Sequence, residues 1–352
     1  MKKIAVALSG GVDSLVAAAL LKDQGYEVIG IHFLTGFGPL DKAEPFNEDT
    51  AVRFAARLKS QLAIPVAIVD CRRAFKRHVI DYFTATYCRG RTPNPCLVCN
   101  PAIKFGVVKA RAHALGADGF ATGHYARVQR TADGYTRLLR GVDPFKDQSY
   151  FLARLSGETL SDTLFPMGGI RKRQTLRLAA EKELAPVFAD ESQDICFVGK
   201  GPYDRFISRQ SGFRSQPGPI TDRSGREIGR HEGLHRFTVG QRRGINIPAP
   251  VPFYVLALDV ANNRLIVGFK QDTYASACTV TDLHWVNTPP DPSATLQTRI
   301  RCRHRAAPSR LKLIGADRAV VRFQQPQSAV TPGQGAVFYQ GEEVLGCGMI
   351  RG

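Results

Sequence analysis

Two textures of apolar and polar residues divide the chain near position 200. Before it, short apolar runs alternate with longer stretches that carry apolar residues at helical spacing. Residues 3–8 read as a buried strand, and residues 13–24 as a helix with Leu15, Ala18, Ala19 and Leu21 among its apolar positions. The alternation predicts further strands at 27–34, 65–69 and 119–122, and helices at 48–62, 73–87 and 103–115. Such a rhythm builds a mostly parallel sheet covered by helices, with ligands at the carboxyl ends of the strands. After position 200 the apolar runs shorten to 253–258, 264–268, 319–323 and 336–339. Turn signals separate them, among them Ser224-Gly225, Asn262-Asn263 and Pro332-Gly333. That texture predicts one or two small β domains or barrels.

Length agrees with this division. At about 150 residues per domain, 352 residues make two or three domains. We expect an α/β domain over 1–200, a small β-rich central domain over 201–275 and a C-terminal β-barrel over 276–352. Hydrophobic residues at 43% and charged residues at 22% belong to a folded chain, not a disordered one. No apolar run approaches the ~20 residues of a membrane span, and the start is too short in apolar residues for a signal peptide. The expected setting is the cytoplasm without a membrane, where the eight cysteines are thiols, metal ligands or catalytic groups.

Charge adds a partner. The chain has 48 Lys and Arg against 31 Asp and Glu, a net +17. Each phosphate met by a basic residue releases counterions, so this excess favours a polyanion over a neutral ligand. The basic residues are spread through the sequence, as in Arg171-Lys172-Arg173 and Arg242-Arg243. A folded surface that follows a structured nucleic acid fits this better than a basic tail. A basic surface serving solubility alone is the plainer reading.

Ser9-Gly10-Gly11-Val12-Asp13-Ser14 follows a strand and opens a helix. Glycines let the backbone approach an anion, and the free amides of a helix start point at it. Ser9 and Ser14 add hydroxyls, and Asp13 can cap the helix or help to hold a metal ion. The pattern lacks the Lys of a Walker loop, and it is not G-x-G-x-x-G. An ordinary capped turn is the plain alternative.

Cys96 and Cys99 follow Pro93-Asn94-Pro95 and fall at an expected helix start. Helix amides, with Arg89 and Arg91 nearby, are expected to lower both thiol pKa values and favour thiolate. A third thiol, Cys196, lies in Asp194-Ile195-Cys196-Phe197 and by itself could be a small buried hydrophobe. A structural zinc site needs four ligands, and no second pair stands at zinc spacing. Cys71, Cys88, Cys278, Cys302 and Cys347 have no motif around them and read as structural.

The hexapeptide resembles the signature of the PP-loop ATP pyrophosphatases. With the rest of the chain it resembles, more narrowly, the tRNA-specific 2-thiouridylases. The shared anchors include Gly90-Arg91-Thr92-Pro93-Asn94-Pro95, Cys99-Asn100 with Ile103-Lys104-Phe105, and Ala121-Thr122-Gly123-His124-Tyr125. They continue through Lys146-Asp147-Gln148-Ser149-Tyr150-Phe151-Leu152, Thr238-Val239-Gly240-Gln241-Arg242-Arg243-Gly244 and Ala329-Val330-Thr331-Pro332-Gly333-Gln334. The resemblance implies a PP-loop domain, of the adenine nucleotide alpha-hydrolase kind, then a central domain and a barrel. It implies that ATP adenylates O2 of the wobble uridine and that sulfur then displaces AMP at C2. Cys196 would carry a persulfide, and Cys99 would resolve or release the sulfur. ATP and Mg²⁺ would be held by Leu8, Ser9, Gly10, Gly11, Asp13, Ser14, Phe33, Gly123 and His124. Contacts to tRNA would fall on Asp147, Gln148, Ser149, Tyr150, Gln241 and Arg242. A sulfur-donor protein or sulfide is the further partner, and the chain would act as a monomer or weak dimer.

Two positions depart from the family pattern. Cys96 stands where the family commonly has Asp, so Cys96, Cys99 and Cys196 together could hold a [4Fe-4S] cluster with one open iron. Residues 33–47 do not match the usual segment. Two rivals remain: a PP-loop ligase of a small-molecule carbonyl, with ATP turnover that needs no RNA, and a non-catalytic RNA-binding protein.

Overall fold

The computed structural model describes residues 1–37, 48–187, 195–199, 201–210 and 212–351. Among the described residues, seven strands lie in the first half: β1 (Lys3–Ala7), β2 (Glu27–Leu34), β3 (Val66–Asp70), β4 (Gly119–Thr122), β5 (Ala126–Arg130), β6 (Thr136–Arg140) and β7 (Thr163–Leu164). Five of them form one sheet in the order β3-β2-β1-β4-β7, every pair parallel. The α/β expectation therefore holds. β1 is a continuous apolar run because helices cover both faces of the sheet. Ile4, Val6 and Leu8 enter one core with Leu15, Val16 and Leu58, while Ala5 and Ala7 enter the other with Ile31, Phe75, Phe83 and Phe120. That is the period-2 alternation of a strand.

The expected helices at 13–24 and 48–62 appear as Val12–Asp23 and Glu48–Leu62. The helix expected from 103 begins earlier, at Pro95. Asn94 caps it by accepting from the Leu97 amide at 3.4 Å, and proline costs nothing at a first helical position. Pro101, which has no amide hydrogen, then falls inside the run. There the helix widens into a π segment over Asn100–Val108 before closing again at Lys109–Ala114. Gly106 permits the widening, since a Cβ there would stand 2.8 Å from the Pro101 carbonyl oxygen.

The second half holds ten strands. β8 (Gly218–Thr221), β9 (Glu227–His231), β10 (Tyr254–Asp259) and β11 (Arg264–Gly268) form a small sheet in the order β10-β11-β8-β9, with a core of Ile220, Phe237, Val255, Leu265 and Val267. β12 (Tyr274–Trp285), β13 (Leu296–Arg299), β14 (Ala307–Leu313), β15 (Arg318–Ser328), β16 (Gly335–Gln340) and β17 (Glu343–Ile350) run in the order β12-β15-β14-β13-β16-β17. Pairing of β12 with β17 closes the barrel. One edge of β17 is shared: its start takes β6, at Val344 against Leu138, and its end takes β12, at Ile350 against Val280. Hairpin β5–β6 of the first half thus extends the barrel sheet. The core behind the parallel sheet is continuous with it, running from Phe120 through Tyr150 to Tyr339, Val344 and Cys347. Trp285 packs against Phe338, ring centres 5.6 Å apart. Among the described residues, no helix is long and apolar enough to cross a membrane.

Candidate functional site

The glycine-rich loop of residues 9–14 leaves the carboxyl end of β1. Leu8 is fully buried; its amide donates to Ile31 and its carbonyl accepts from His32 Nδ1 at 2.9 Å. Gly10 takes φ +83°, which glycine adopts without strain, and its carbonyl accepts from the Val187 amide. Gly11 is extended and starts the helix Val12–Asp23 without a side-chain cap. Ser14 Oγ donates to the Gly11 carbonyl at 2.9 Å and lies 3.3 Å from Ser9 Oγ. The two hydroxyls therefore stand side by side at the helix start, where amides favour an anion.

Asp13 does not cap this helix. Its Oδ1 accepts from Lys172 Nζ and from Tyr125 OH, both at 2.8 Å. Gly123, at the end of β4, packs directly under the loop: a Cβ there would lie 2.9 Å from Asp13 C and Ser14 N. Phe33 is half-buried at the end of β2 and packs on the core that includes Phe75. Residues 38–47 of the divergent segment lie outside the described residues.

His124 follows Gly123 and is buried. Its Nδ1 is 2.7 Å from Thr122 Oγ1 and its Nε2 is 3.4 Å from Lys104 Nζ. A lysine ammonium only donates, so Nε2 accepts and Nδ1–H donates to Thr122. Burial, with the Lys104 charge beside it, pushes the His124 pKa well below the usual histidine value. The imidazole is neutral at neutral pH.

Lys104 also faces the thiols. Its charge favours thiolate at Cys96, Cys99 and Cys196, and the like charges of Cys196, Cys99 and Cys302 oppose it at Cys96. Cys96 and Cys196 are open to solvent and Cys99 is partly so. They sit in a recess crowded by protein, and desolvation dominates: Cys96 and Cys99 are pushed up to about 12, and Cys196 is also raised. This overturns the expected lowering of both pKa values. Desolvation outweighs the Lys104 charge, and Arg89 and Arg91 are not among the charges that act on either thiol. Cys302, read from sequence as structural, comes from the segment after β13 into electrostatic reach of Cys96. Among the described residues, no group of three His, Cys, Asp or Glu is arranged to hold a metal ion. Cys71, Cys278 and Cys347 are buried, and Cys88 is exposed.

The segment before Cys96 is held from two other parts of the fold. The Thr92 amide donates to the Pro332 carbonyl at 2.8 Å, Gln334 Nε2 donates to the Thr92 and Pro93 carbonyls, and Thr92 Oγ1 meets Thr238 Oγ1 at 3.1 Å. The expected RNA-contacting residues divide. Asp147 accepts from the Gly141 and Ser149 amides and pairs with Arg299 at 3.2 Å, its side chain 4% exposed. Gln148 Oε1 accepts from the Tyr125 amide. Ser149 and Tyr150 are fully buried, and the Tyr150 hydroxyl donates to the Gly335 carbonyl. Asp147, Ser149 and Tyr150 join the first domain to the barrel, and Gln148 ties to Tyr125 within the first domain. Gln241 is half-buried and ties its own loop through Thr238 and Arg243, while Arg242 is exposed.

Sequence reasoning gave no role to Lys104, Tyr125 or Lys172. Lys104 and Tyr125 stood inside quoted anchors and Lys172 inside a basic run, but a string of letters does not say which side chain faces the loop.

Family models match three stretches: a tRNA methyl transferase HUP domain over residues 2–200, a PRC-barrel domain over 204–269 and an aminomethyltransferase beta-barrel domain over 275–350. The chain is 51% identical over 348 residues to the tRNA-specific 2-thiouridylase MnmA of Desulfosudis oleivorans, covering 99% of this chain and 94% of that protein. It is 44% identical to the MnmA of Geobacter metallireducens, covering 99% and 96%, and 43% identical to that of Acidithiobacillus ferrooxidans, covering 100% and 99%. With full-length identity of this order and a glycine-rich loop beside a thiol recess, the chain belongs to the tRNA-specific 2-thiouridylase family, a family of transferases.

Proposed function

We propose that this chain uses ATP to adenylate O2 of the wobble uridine of tRNA and replaces that oxygen with sulfur carried on Cys196. One observation carries the reading: a single side chain, Lys104, touches His124 beside the nucleotide loop and faces all three thiols. Activation and sulfur delivery then share one recess, and adenylated uridine need not travel between sites.

Ser9, Gly10, Gly11 and Ser14 cradle the phosphates, with Leu8, Phe33, Gly123 and His124 framing the nucleotide. A hard carboxylate, Asp13, beside two hydroxyls suits Mg²⁺, which would neutralise phosphate charge as pyrophosphate leaves. Lys172 and Tyr125 orient Asp13. Neutral His124 keeps a lone pair on Nε2 toward Lys104 and adds no charge near ATP. The terminal sulfur of a Cys196 persulfide attacks C2, the C2–O bond breaks and AMP leaves. Cys99 thiolate then attacks Cys196 Sγ. The sulfur–sulfur bond breaks, sulfur stays on the uridine and a Cys99–Cys196 disulfide remains, which an external dithiol reduces with two electrons. Cys96 assists within the same recess. A donor protein's own persulfide supplies the sulfur: the Cys196 thiolate attacks its outer sulfur, the donor's sulfur–sulfur bond breaks and the donor leaves as a thiolate; free sulfide, where it is the donor, would attack C2 directly without a Cys196 persulfide. Arg242 is the exposed member of the expected RNA contacts, and Asp147, Gln148, Ser149, Tyr150 and Gln241 set the shape of the surface that RNA meets.

The test is single-turnover thiolation of an unmodified tRNA transcript with enzyme persulfidated beforehand. Cys196→Ser should lose thiolation and keep ATP binding and pyrophosphate release. An active Cys196→Ser enzyme would end this mechanism.

A further inference from the structure

Phe145 is 95% exposed, the most exposed large apolar side chain among the described residues, ahead of Met1 at 92%. Its place is fixed. Asp143-Pro144-Phe145-Lys146 is a β-turn closed by the Lys146 amide on the Asp143 carbonyl at 3.2 Å, with Pro144 at the second position. Asp143 Oδ1 accepts from the Phe145 amide at 3.0 Å, and Oδ2 accepts from the Lys172 amide at 3.0 Å. Val142 donates to the Gly168 carbonyl and Asp147 anchors the far end on Arg299. A turn pinned at this many points holds an aromatic ring out to solvent with little freedom. Other half-exposed rings have company, as Phe269 has in Phe253 at 5.4 Å; among the described residues no ring or cation stacks on Phe145.

The ring's neighbourhood is basic and close to the chemistry. Arg171 is near enough to favour the Asp143 carboxylate, and Lys146 adjoins Phe145 in the chain. Lys172, capped by Asp143, holds Asp13 of the nucleotide loop. Phe145 therefore stands two residues from the link to the ATP site. A flat apolar face bordered by cations suits a nucleobase, whose ring stacks and whose phosphates meet the cations. A protein partner would ask for a wider apolar patch; among the described residues the large exposed apolar side chain nearest Phe145 in the chain is Val142, only 38% exposed.

We propose that Phe145 is a stacking platform for an unpaired nucleobase of the tRNA, positioning the RNA at the mouth of the nucleotide site. The inference rests on the reading of tRNA as the substrate. It adds a positioning residue that acts on binding before any bond is made.

The test compares wild type, Phe145→Ala, Phe145→Leu and Phe145→Trp for affinity to an unmodified tRNA transcript, with ATP affinity measured alongside. Stacking on one base predicts about 5- to 100-fold weaker RNA binding in Phe145→Ala. Phe145→Leu should be nearly as weak, Phe145→Trp at least as tight as wild type, and ATP affinity unchanged in all. The Phe145→Trp protein should also lose fluorescence on adding tRNA. Equal RNA binding by wild type, Ala and Leu variants would overturn the inference and leave the function standing. So would full rescue by Leu, or a defect seen only in sulfur transfer from a donor protein, which would mark an apolar protein contact. Absence of tRNA binding by wild type would instead refute the reading beneath it.

Discussion

Gly123→Ala isolates the contact between β4 and the nucleotide loop. The added methyl would stand 2.9 Å from Asp13 C and Ser14 N and 3.0 Å from Asp13 O. Ordinary contact is about 3.5–4.0 Å, so the methyl is too close by roughly 0.6–1.0 Å. All three atoms are backbone, so no side chain can swing aside. Either the end of β4 or the start of the helix Val12–Asp23 must move by that amount. Overpacking of this kind costs about 1–3 kcal/mol. A shift of about 1 Å at reacting groups costs on the order of 10²-fold in rate. We expect a small fall in the urea midpoint and a loss of about 10²-fold in tRNA-dependent pyrophosphate release, with weaker ATP binding. Gly169→Ala is the control, since a Cβ there meets nothing within 4 Å. Wild-type kcat and KM for ATP in Gly123→Ala would refute the claim that this glycine sets the loop's position.

Further outcomes follow from the same geometry. Three units between 9 and about 12 leave Cys96 and Cys99 about 10³-fold less thiolate, partly offset by greater nucleophilicity; iodoacetamide at pH 8 should modify them about 10- to 100-fold more slowly than a free cysteine. Lys104→Gln should slow that modification further, and unchanged alkylation would show that Lys104 does not act on the thiols. Six histidines, His32, His124, His231, His235, His284 and His304, have pKa values lowered by burial. The unfolded chain then binds more protons below about pH 6.5, so the urea midpoint should fall as pH drops from 7 toward 5; a flat profile would contradict it. Arg299→Met leaves Asp147 buried with its backbone donors alone, and should cost about 3–5 kcal/mol in equilibrium unfolding, far more than an exposed pair such as Arg177–Glu181.

The strands of the parallel sheet were legible because burial on both faces writes an unbroken apolar run, as in β1 and β4. The nucleotide loop was legible because its glycines and hydroxyls sit at consecutive positions. The attachment of β6 to β17 was not, since it joins residues about 200 apart and leaves no local pattern. The thiol pKa direction was misread for a related reason. Helix amides and arginines are near in sequence, whereas two of the charges that act on Cys96, those of Cys196 and Cys302, come from segments about 100 and 200 residues away. Ser149 and Tyr150 looked like polar contact residues. Their hydroxyls instead satisfy partners inside the core, which only the packing against β16 reveals.

The clasp on Thr92 and Pro93 bears on how the chain is made. Its holding groups, Pro332 and Gln334, and the β17 partner of β6 emerge from the ribosome about 200 residues after β6. At about 5–20 residues per second, β6 waits roughly 10–40 s for β17 after its own synthesis. During that interval the nucleotide loop can form, while the segment leading into Cys96 has no anchor and the edge of β6 lies open. Ordering of the segment that leads into Cys96 is thereby tied to synthesis of the barrel, and products truncated before Pro332 lack these anchors.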